Sequence, residues 1–119
     1  MTSGIGPVIY PVKDLALAKR LYGTLLGVEP YVDEAYYVGY RVGDQEIGLD
    51  PHGASQGMTG PVAYFEVGDI EESLKDLLGD GAELLKAASD VGGGKLIASV
   101  KDADGNIIGL AQSPLPPSS

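Results

Sequence analysis

The chain has no cysteine among its 119 residues. That excludes disulfides, thiolate nucleophiles and cysteine-held zinc or redox centres, and it fits a reducing compartment. Imidazole is almost as scarce, since His52 is the single histidine. One histidine beside Asp50 makes a poor metal site without further partners, and no Ser–His pair or G-x-S-x-G elbow is readable. Basic residues are few: eight Lys and Arg stand against 17 acids, for a net charge of −9. No basic stripe exists to track a phosphate backbone, so nucleic acid is not an expected partner. No apolar run approaches a membrane span, and Met1 to Gly6 carries no secretory pattern. The expectation is a cytoplasmic chain with no membrane partner. The glycine-rich stretches lack the G-x-x-x-x-G-K-[ST] order of a phosphate loop.

What is present is ordinary globular material: 44% hydrophobic and 21% charged residues, enough for one domain over residues 1–119. Ile5 to Val12 reads as a strand whose Pro7 and Pro11 occupy positions that tolerate a missing N–H. Asp14 reads as an N-cap, and Leu15, Ala18, Leu21, Tyr22 and Leu25 form an apolar stripe at helical spacing. Gly27 suits a left-handed end to that helix. Gly23, inside it, costs about 1 kcal/mol relative to Ala and suggests a close approach of helix to sheet. Val28 to Asp33 is a short extended segment broken by Pro30. Tyr36 to Val42 and Gln45 to Asp50 read as a hairpin turning at Gly43-Asp44. Residues 51–61 form a glycine-rich linker or a loop over a site.

The pattern then restarts. Val62 to Val67 is a strand, Asp69 an N-cap with Glu72 in capping-box position, and Ile70, Leu74, Leu77 and Leu78 an apolar stripe ended by Gly79 and Gly81. Ala82 to Ala88, Lys95 to Lys101 and Asn106 to Gln112 read as strands, separated by the Gly92–Gly94 turn and by Asp104-Gly105. Residues 113–119 read as an extended or disordered tail. Val12-Lys13-Asp14-Leu15 aligns with Val67-Gly68-Asp69-Ile70, and Ile47-Gly48-Leu49 with Ile108-Gly109-Leu110. The expected class is therefore α+β, two βαβββ modules sharing one core: module one at about 5–50, module two at about 62–112.

Three segments carry a family resemblance spanning roughly residues 5–112. "YPVKDLALAKRLYGTLLGVEPY" resembles the opening strand and helix of vicinal-oxygen-chelate proteins, the glyoxalase, bleomycin-resistance and extradiol dioxygenase group. "GPVAYFEVGDIEESLKDLLGDGAEL" resembles the opening of their second module, and "VKDADGNIIGLAQ" their closing hairpin. The resemblance implies curved mixed sheets around a cup-shaped cavity. It also implies a homodimer, side by side or with exchanged modules. Enzymes of the group hold a divalent metal in the cup, whereas bleomycin-resistance relatives bind a drug there without one.

The resemblance places the metal ligands early in the first strand of each module and on the last. The matching positions are Pro7, Val62, Gly48 and Gly109, none of which offers a side-chain lone pair. No metal and no cofactor is therefore expected. Strand alternation turns Pro7, Ile9, Pro11, Tyr64 and Glu66 toward the cup, along with Glu46, Gly48, Asp50, Ile107, Gly109 and Ala111. Tyr37, Gly39 and Arg41 join them, while Val38, Tyr40 and Val42 suit the core. Gly48 and Gly109 are expected to leave room for a flat or bulky guest. The candidate ligand-binding residues are Tyr37, Arg41, Gly48, Asp50, Tyr64, Glu66 and Gly109, a mostly apolar lining with a few polar groups.

The function expected is metal-independent binding of a small molecule, such as drug or metabolite sequestration. One alternative is a metal-free isomerase or lyase with Glu66 as general base and Tyr64 as acid. In that case an Arg41–Glu66 pair would be competing structural use of the same carboxylate. Another is a structural or regulatory dimer without ligand.

Overall fold

The computed structural model describes residues 2–114; of the tail expected at 113–119, residues 115–119 lie outside the described residues. Among the described residues the chain forms eight strands and two α-helices in the order β1 (Thr2–Pro11), α1 (Leu15–Leu26), β2 (Val32–Glu34), β3 (Tyr37–Val42), β4 (Gln45–Asp50), β5 (Val62–Val67), α2 (Ile70–Gly79), β6 (Glu83–Asp90), β7 (Leu96–Lys101) and β8 (Ile107–Gln112). This is the α+β, mixed-sheet architecture of a twofold βαβββ repeat. The 51–61 segment contains one short 3-10 turn, Ala54–Gln56. No helix among the described residues is long and apolar enough to cross a membrane.

Two compact units divide the chain: Gly6–Ala63, and residues 64–114 together with 2–5. In the first, the strand order is β2-β3-β4-β1. β1 and β4 are parallel, so α1 supplies the crossover that parallel pairing needs; β3 and β4 form the antiparallel hairpin. Helix α1 starts where the Asp14 carboxylate accepts the Leu17 N–H at 3.0 Å. It ends where Gly27 turns left-handed at φ 70° and donates to the Gly23 carbonyl. Its inner face, Leu15, Ala18, Tyr22 and Leu26, closes over Tyr10, Val12, Val38, Tyr40, Ile47 and Leu49. Val38, Tyr40 and Leu49 are essentially without solvent contact; each fully buried side chain of this size stabilises by about 1.5–3 kcal/mol.

Two sequence expectations fail here. Leu21 and Leu25, assigned to the core stripe, are 61% and 75% exposed. Tyr22 and Leu26 continue the row begun by Leu15 and Ala18, and Leu21 and Leu25 sit one residue, about 100°, off it. Val42, expected in the core, is 40% exposed: it is the last residue of β3, paired with Gln45 beside the turn.

The second unit repeats the plan with strand order β5-β8-β7-β6. The Asp69 carboxylate accepts the Glu72 N–H at 3.1 Å, and the Gln112 side chain accepts the Ile70 N–H at 2.7 Å. The closing strand therefore satisfies a helix terminus that would otherwise be bare. Ile70, Leu74, Val67, Ala98, Val100 and Leu110 form the core. Leu78, also expected there, is 40% exposed, at the edge of the apolar arc. The edge strand β6 pairs with β7 through two register shifts, an irregularity that blunts an open edge.

Candidate functional site

Burial shows which face of each sheet the helices cover. In the first unit Tyr10, Val38, Tyr40, Ile47 and Leu49 lie under α1, so the alternate residues Ile9, Tyr37, Gly39, Arg41, Glu46 and Gly48 occupy the helix-free face. Strand register sorts them into rows. Ile9, Gly48 and Gly39 are cross-strand neighbours, and so are Pro7, Glu46 and Arg41.

The glycine row is filled by aromatic rings. A Cβ added at Gly39 would stand 3.1 Å from Tyr37 Cε2 and 3.2 Å from Tyr31 Cε1. One at Gly48 would collide with the Tyr37 hydroxyl and stand 2.6 Å from Ile9 Cδ1. This corrects the expectation that Gly48 leaves room for a guest. The space its side chain would take belongs to Tyr37 and Ile9, and glycine is required for that close approach.

Beside this floor the Arg41 guanidinium sits 4.4 Å above the centre of the Tyr31 ring and donates from Nη2 to Glu46 Oε1 at 2.9 Å. The hydrogen bond to Glu46 holds Arg41 more firmly protonated than usual. Burial, reinforced by the Glu46 charge, pushes the Tyr31 phenol above its ordinary value. Arg41 therefore pairs with Glu46 of the neighbouring strand, not in the Arg41–Glu66 pair considered from sequence. Tyr31 was missed at that level because Pro30 obscured the strand alternation. Its N–H donates to the Gly39 carbonyl at 2.9 Å. The available signal was Gly39 itself, a strand glycine that an aromatic neighbour commonly covers.

Asp50 ends β4, where its carboxylate accepts the His52 N–H at 2.8 Å. The His52 carbonyl in turn accepts the Ser55 hydroxyl. Both residues thus brace the start of the 51–61 segment.

In the second unit Tyr64, Gly109 and Ser99 form one row of the helix-free face, and Glu66, Ala111 and Ile97 the next. The Glu66 carboxylate receives a long contact, 3.5 Å, from the Ser113 hydroxyl. Its backbone carbonyl accepts the Thr2 hydroxyl at 2.6 Å. The structure thus brings Tyr37, Arg41 and Gly48 together on the strands of the first unit, and Tyr64, Glu66 and Gly109 together on those of the second. Among the described residues, no three His, Cys, Asp or Glu side chains are grouped to hold a metal ion.

Two open grooves lie elsewhere, against the helices. One of about 520 Å³ runs along Lys19, Arg20, Gly23 and Thr24 to Val28, Glu29, Pro30 and Tyr40. There the Tyr40 hydroxyl donates to the Lys19 carbonyl at 2.9 Å, and the Lys19 ammonium pairs with Asp33 at 2.5 Å. The hydrogen bond that Lys19 donates to Asp33 keeps it protonated beyond its ordinary range. The other groove, about 400 Å³, lies between α2 and β6 and is lined mainly by Leu74, Leu78, Leu84, Ala87 and Ala88.

No curated protein matches the chain. Among solved structures, methylmalonyl-CoA epimerase from Mycobacterium tuberculosis is similar with a TM-score of 0.69 at 21% identity, covering 97% of this chain and 90% of that one. A Streptomyces coelicolor methylmalonyl-CoA epimerase variant in complex with 2-nitronate-propionyl-CoA gives a TM-score of 0.69 at 16% identity, covering 97% and 100%. A Legionella pneumophila structure described as an NAD-dependent benzaldehyde dehydrogenase gives 0.72 at 14% identity, covering 89% and 96%. At such identities the likeness shows the fold alone. The family model described as the Glyoxalase/Bleomycin resistance protein/Dioxygenase superfamily matches residues 4–110, nearly the whole of both βαβββ repeats, and the chain belongs to that superfamily.

Proposed function

We propose that this protein binds a small organic molecule on the helix-free faces of its sheets, without a metal, in the manner of the bleomycin-resistance branch of the superfamily. The observation that carries the reading is the occupancy around Gly48. Where metal-dependent relatives project a ligand from the last strand of a module, the Tyr37 hydroxyl and Ile9 Cδ1 fill the space that any side chain at this position would enter. Pro7, Val62 and Gly109 at the corresponding positions carry no donor atom either. The residues present do not fit a divalent ion of the family's kind, whose sites need nitrogen or carboxylate donors. They fit a flat apolar guest: Tyr31, Tyr37 and Ile9 supply a floor, and Arg41 and Glu46 supply polar groups at its edge.

A thermal-shift screen with planar aromatic compounds, neutral and cationic, run beside metal analysis of the purified protein, tests the proposal. A ligand present at a hundred times its Kd stabilises by about 2.7 kcal/mol. That shift should vanish in the Tyr37→Ala and Tyr31→Ala variants. A stoichiometric divalent ion whose removal lowers stability would overturn the metal-independent reading.

The alternative, a metal-free isomerase or lyase with Glu66 as base and Tyr64 as acid, draws support from one feature. The Glu66 carboxylate sits in the row next to Tyr64 and, among the described residues, receives a long 3.5 Å contact from Ser113. Proton exchange into substrate from deuterated solvent, lost in Glu66→Gln, would favour it over simple binding. A screen in which no compound shifts the protein would leave the ligand-free dimer.

A further inference from the structure

On the reading that the helix-free faces bind a small molecule, we infer that the second unit carries a carboxylate subsite there, built from the Ser99 hydroxyl and the Lys86 ammonium. Ser99 lies in the middle of β7 between Ala98 and Val100, which pack under α2, so its side chain points to the opposite face. It is 6% exposed. Among the described residues its hydroxyl has no hydrogen-bond partner, and no buried side-chain polar atom is left unsatisfied. The hydroxyl is therefore the part of Ser99 that meets solvent. A polar side chain this deep in a sheet normally has a protein partner; here its hydrogen bond is left for something from outside.

The two register shifts of β6 bring Lys86 to it. Leu84 pairs with Val100 and Lys86 with Ser99, so Leu85 and Lys86 together oppose Ser99. The next pair is Ser89 with Ile97, so Ala87 and Ala88 together oppose Ala98. Two residues against one is bulge geometry, which re-aims side chains on the bulged strand. The second bulge shows its effect directly: Ala98 lies in the core under α2, and both Ala87 and Ala88 line the groove against that helix. By the same rule the first bulge sets Leu85 and Lys86 on the face of Ser99. Lys86 is exposed, and the ion pairs among the described residues are Lys19–Asp33 and Arg41–Glu46, so its charge is uncompensated.

One hydroxyl donor and one full positive charge match the two oxygens and single charge of a carboxylate, and a phosphate dianion would leave a charge unmatched. From Ser99 the row continues through Gly109 to Tyr64, so an aromatic ring and both donors share a line about 14 Å long. That suits a flat acid with its ring toward Tyr64 and its carboxylate toward Ser99 and Lys86. Competing acids are placed elsewhere. Glu66 lies in the next row, three strands from β6, and Glu83 stands opposite Lys101. The net charge of −9 does not oppose the binding, because charges beyond about 8 Å are screened at physiological salt.

Titration of the full chain with benzoate and with its neutral counterpart benzamide, followed in amide NMR spectra, tests this. Benzoate should move the Ser99, Lys86 and Gly109 amides and bind about tenfold or more tighter than benzamide. Ser99→Ala should weaken benzoate about tenfold while the unligated spectrum stays unchanged away from β7. Lys86→Gln should weaken benzoate about threefold, the scale of an exposed ion pair, and Lys86→Arg should retain it. Lys101→Gln, which removes the cation opposite Glu83, should leave both affinities unchanged. Benzoate that binds no tighter than benzamide overturns the subsite. So does a Ser99→Ala protein that binds benzoate as the wild type does, or equal losses from Lys86→Gln and Lys101→Gln. If benzamide still moves resonances of the helix-free faces in those cases, small-molecule binding stands without the subsite; if neither probe nor any compound of the thermal-shift screen binds, both fall.

Discussion

The occupancy around Gly48 can be tested directly by giving that residue a side chain. In Gly48→Ala the new Cβ lies 2.6 Å from Ile9 Cδ1 and 2.7 Å from Tyr37 Cε1, and nearer still to the Tyr37 hydroxyl. Carbon atoms in good contact sit at about 3.5–4.0 Å, so the overlap is about an ångström. Gly48 is a buried central-strand residue between β3 and β1, which leaves its backbone little freedom to yield. Relief must come from the tips of Tyr37 and Ile9. Overpacking of this kind costs about 1–3 kcal/mol, partly offset by about 0.4–1 kcal/mol from the lower entropy of alanine in the unfolded chain. The net expectation is a loss of about 1–2 kcal/mol, or roughly 5–10 °C in Tm. Urea denaturation followed by circular dichroism measures it, and the decisive comparison is the cycle with Tyr37→Ala. Removing the ring should reduce the cost of the alanine, giving a coupling of about 1 kcal/mol. Additivity within about 0.4 kcal/mol, or a Gly48→Ala protein as stable as wild type, would refute the claim that Tyr37 occupies the position.

The other glycine and acid sites predict different signs. A Cβ at Gly23 would meet only the Tyr40 hydroxyl at 3.6 Å, an ordinary contact, so the close approach inferred from sequence does not require glycine; Gly23→Ala should stabilise by about 1 kcal/mol, read as a rise in urea midpoint at constant slope, and a fall would show a tighter fit. The Asp102 carboxylate accepts the N–H groups of Asp104 and Asn106 and the Asn106 side-chain amide, each at 2.9 Å. The Asn106 side chain, then the backbone donors, hold its pKa below the ordinary aspartate value. A group with a lowered folded pKa contributes stability above its unfolded pKa and loses it as pH falls through the folded one. The stability gap between wild type and Asp102→Ala should therefore be full at neutral pH and shrink below about pH 4; an equal gap at pH 7 and pH 2.5 would remove the carboxylate from the account.

Much of the plan is written locally. Asp14 and Asp69 cap their helices because a short carboxylate reaches an N–H three residues on, and Gly27 ends α1 because only glycine turns left-handed without cost. The twofold repeat follows from the order of those signals, and strand alternation alone placed Tyr37 and Arg41 on the face away from α1. What no local rule carried was lateral. Whether Leu21 or Leu26 faces the sheet depends on where α1 crosses it, a rotation set by packing Tyr22 and Leu26 against Tyr40 and Leu49. Whether Gly48 leaves a hollow depends on a ring from the adjacent strand. Tyr37 lies over Gly48, and Arg41 turns to Glu46 and Tyr31, only because cross-strand register makes them neighbours. Periodicity and caps act within a few residues of chain and are legible as text. Close packing acts between residues that only the folded sheet brings together, and it decided which side chains fill the candidate site and which leucines remain uncovered.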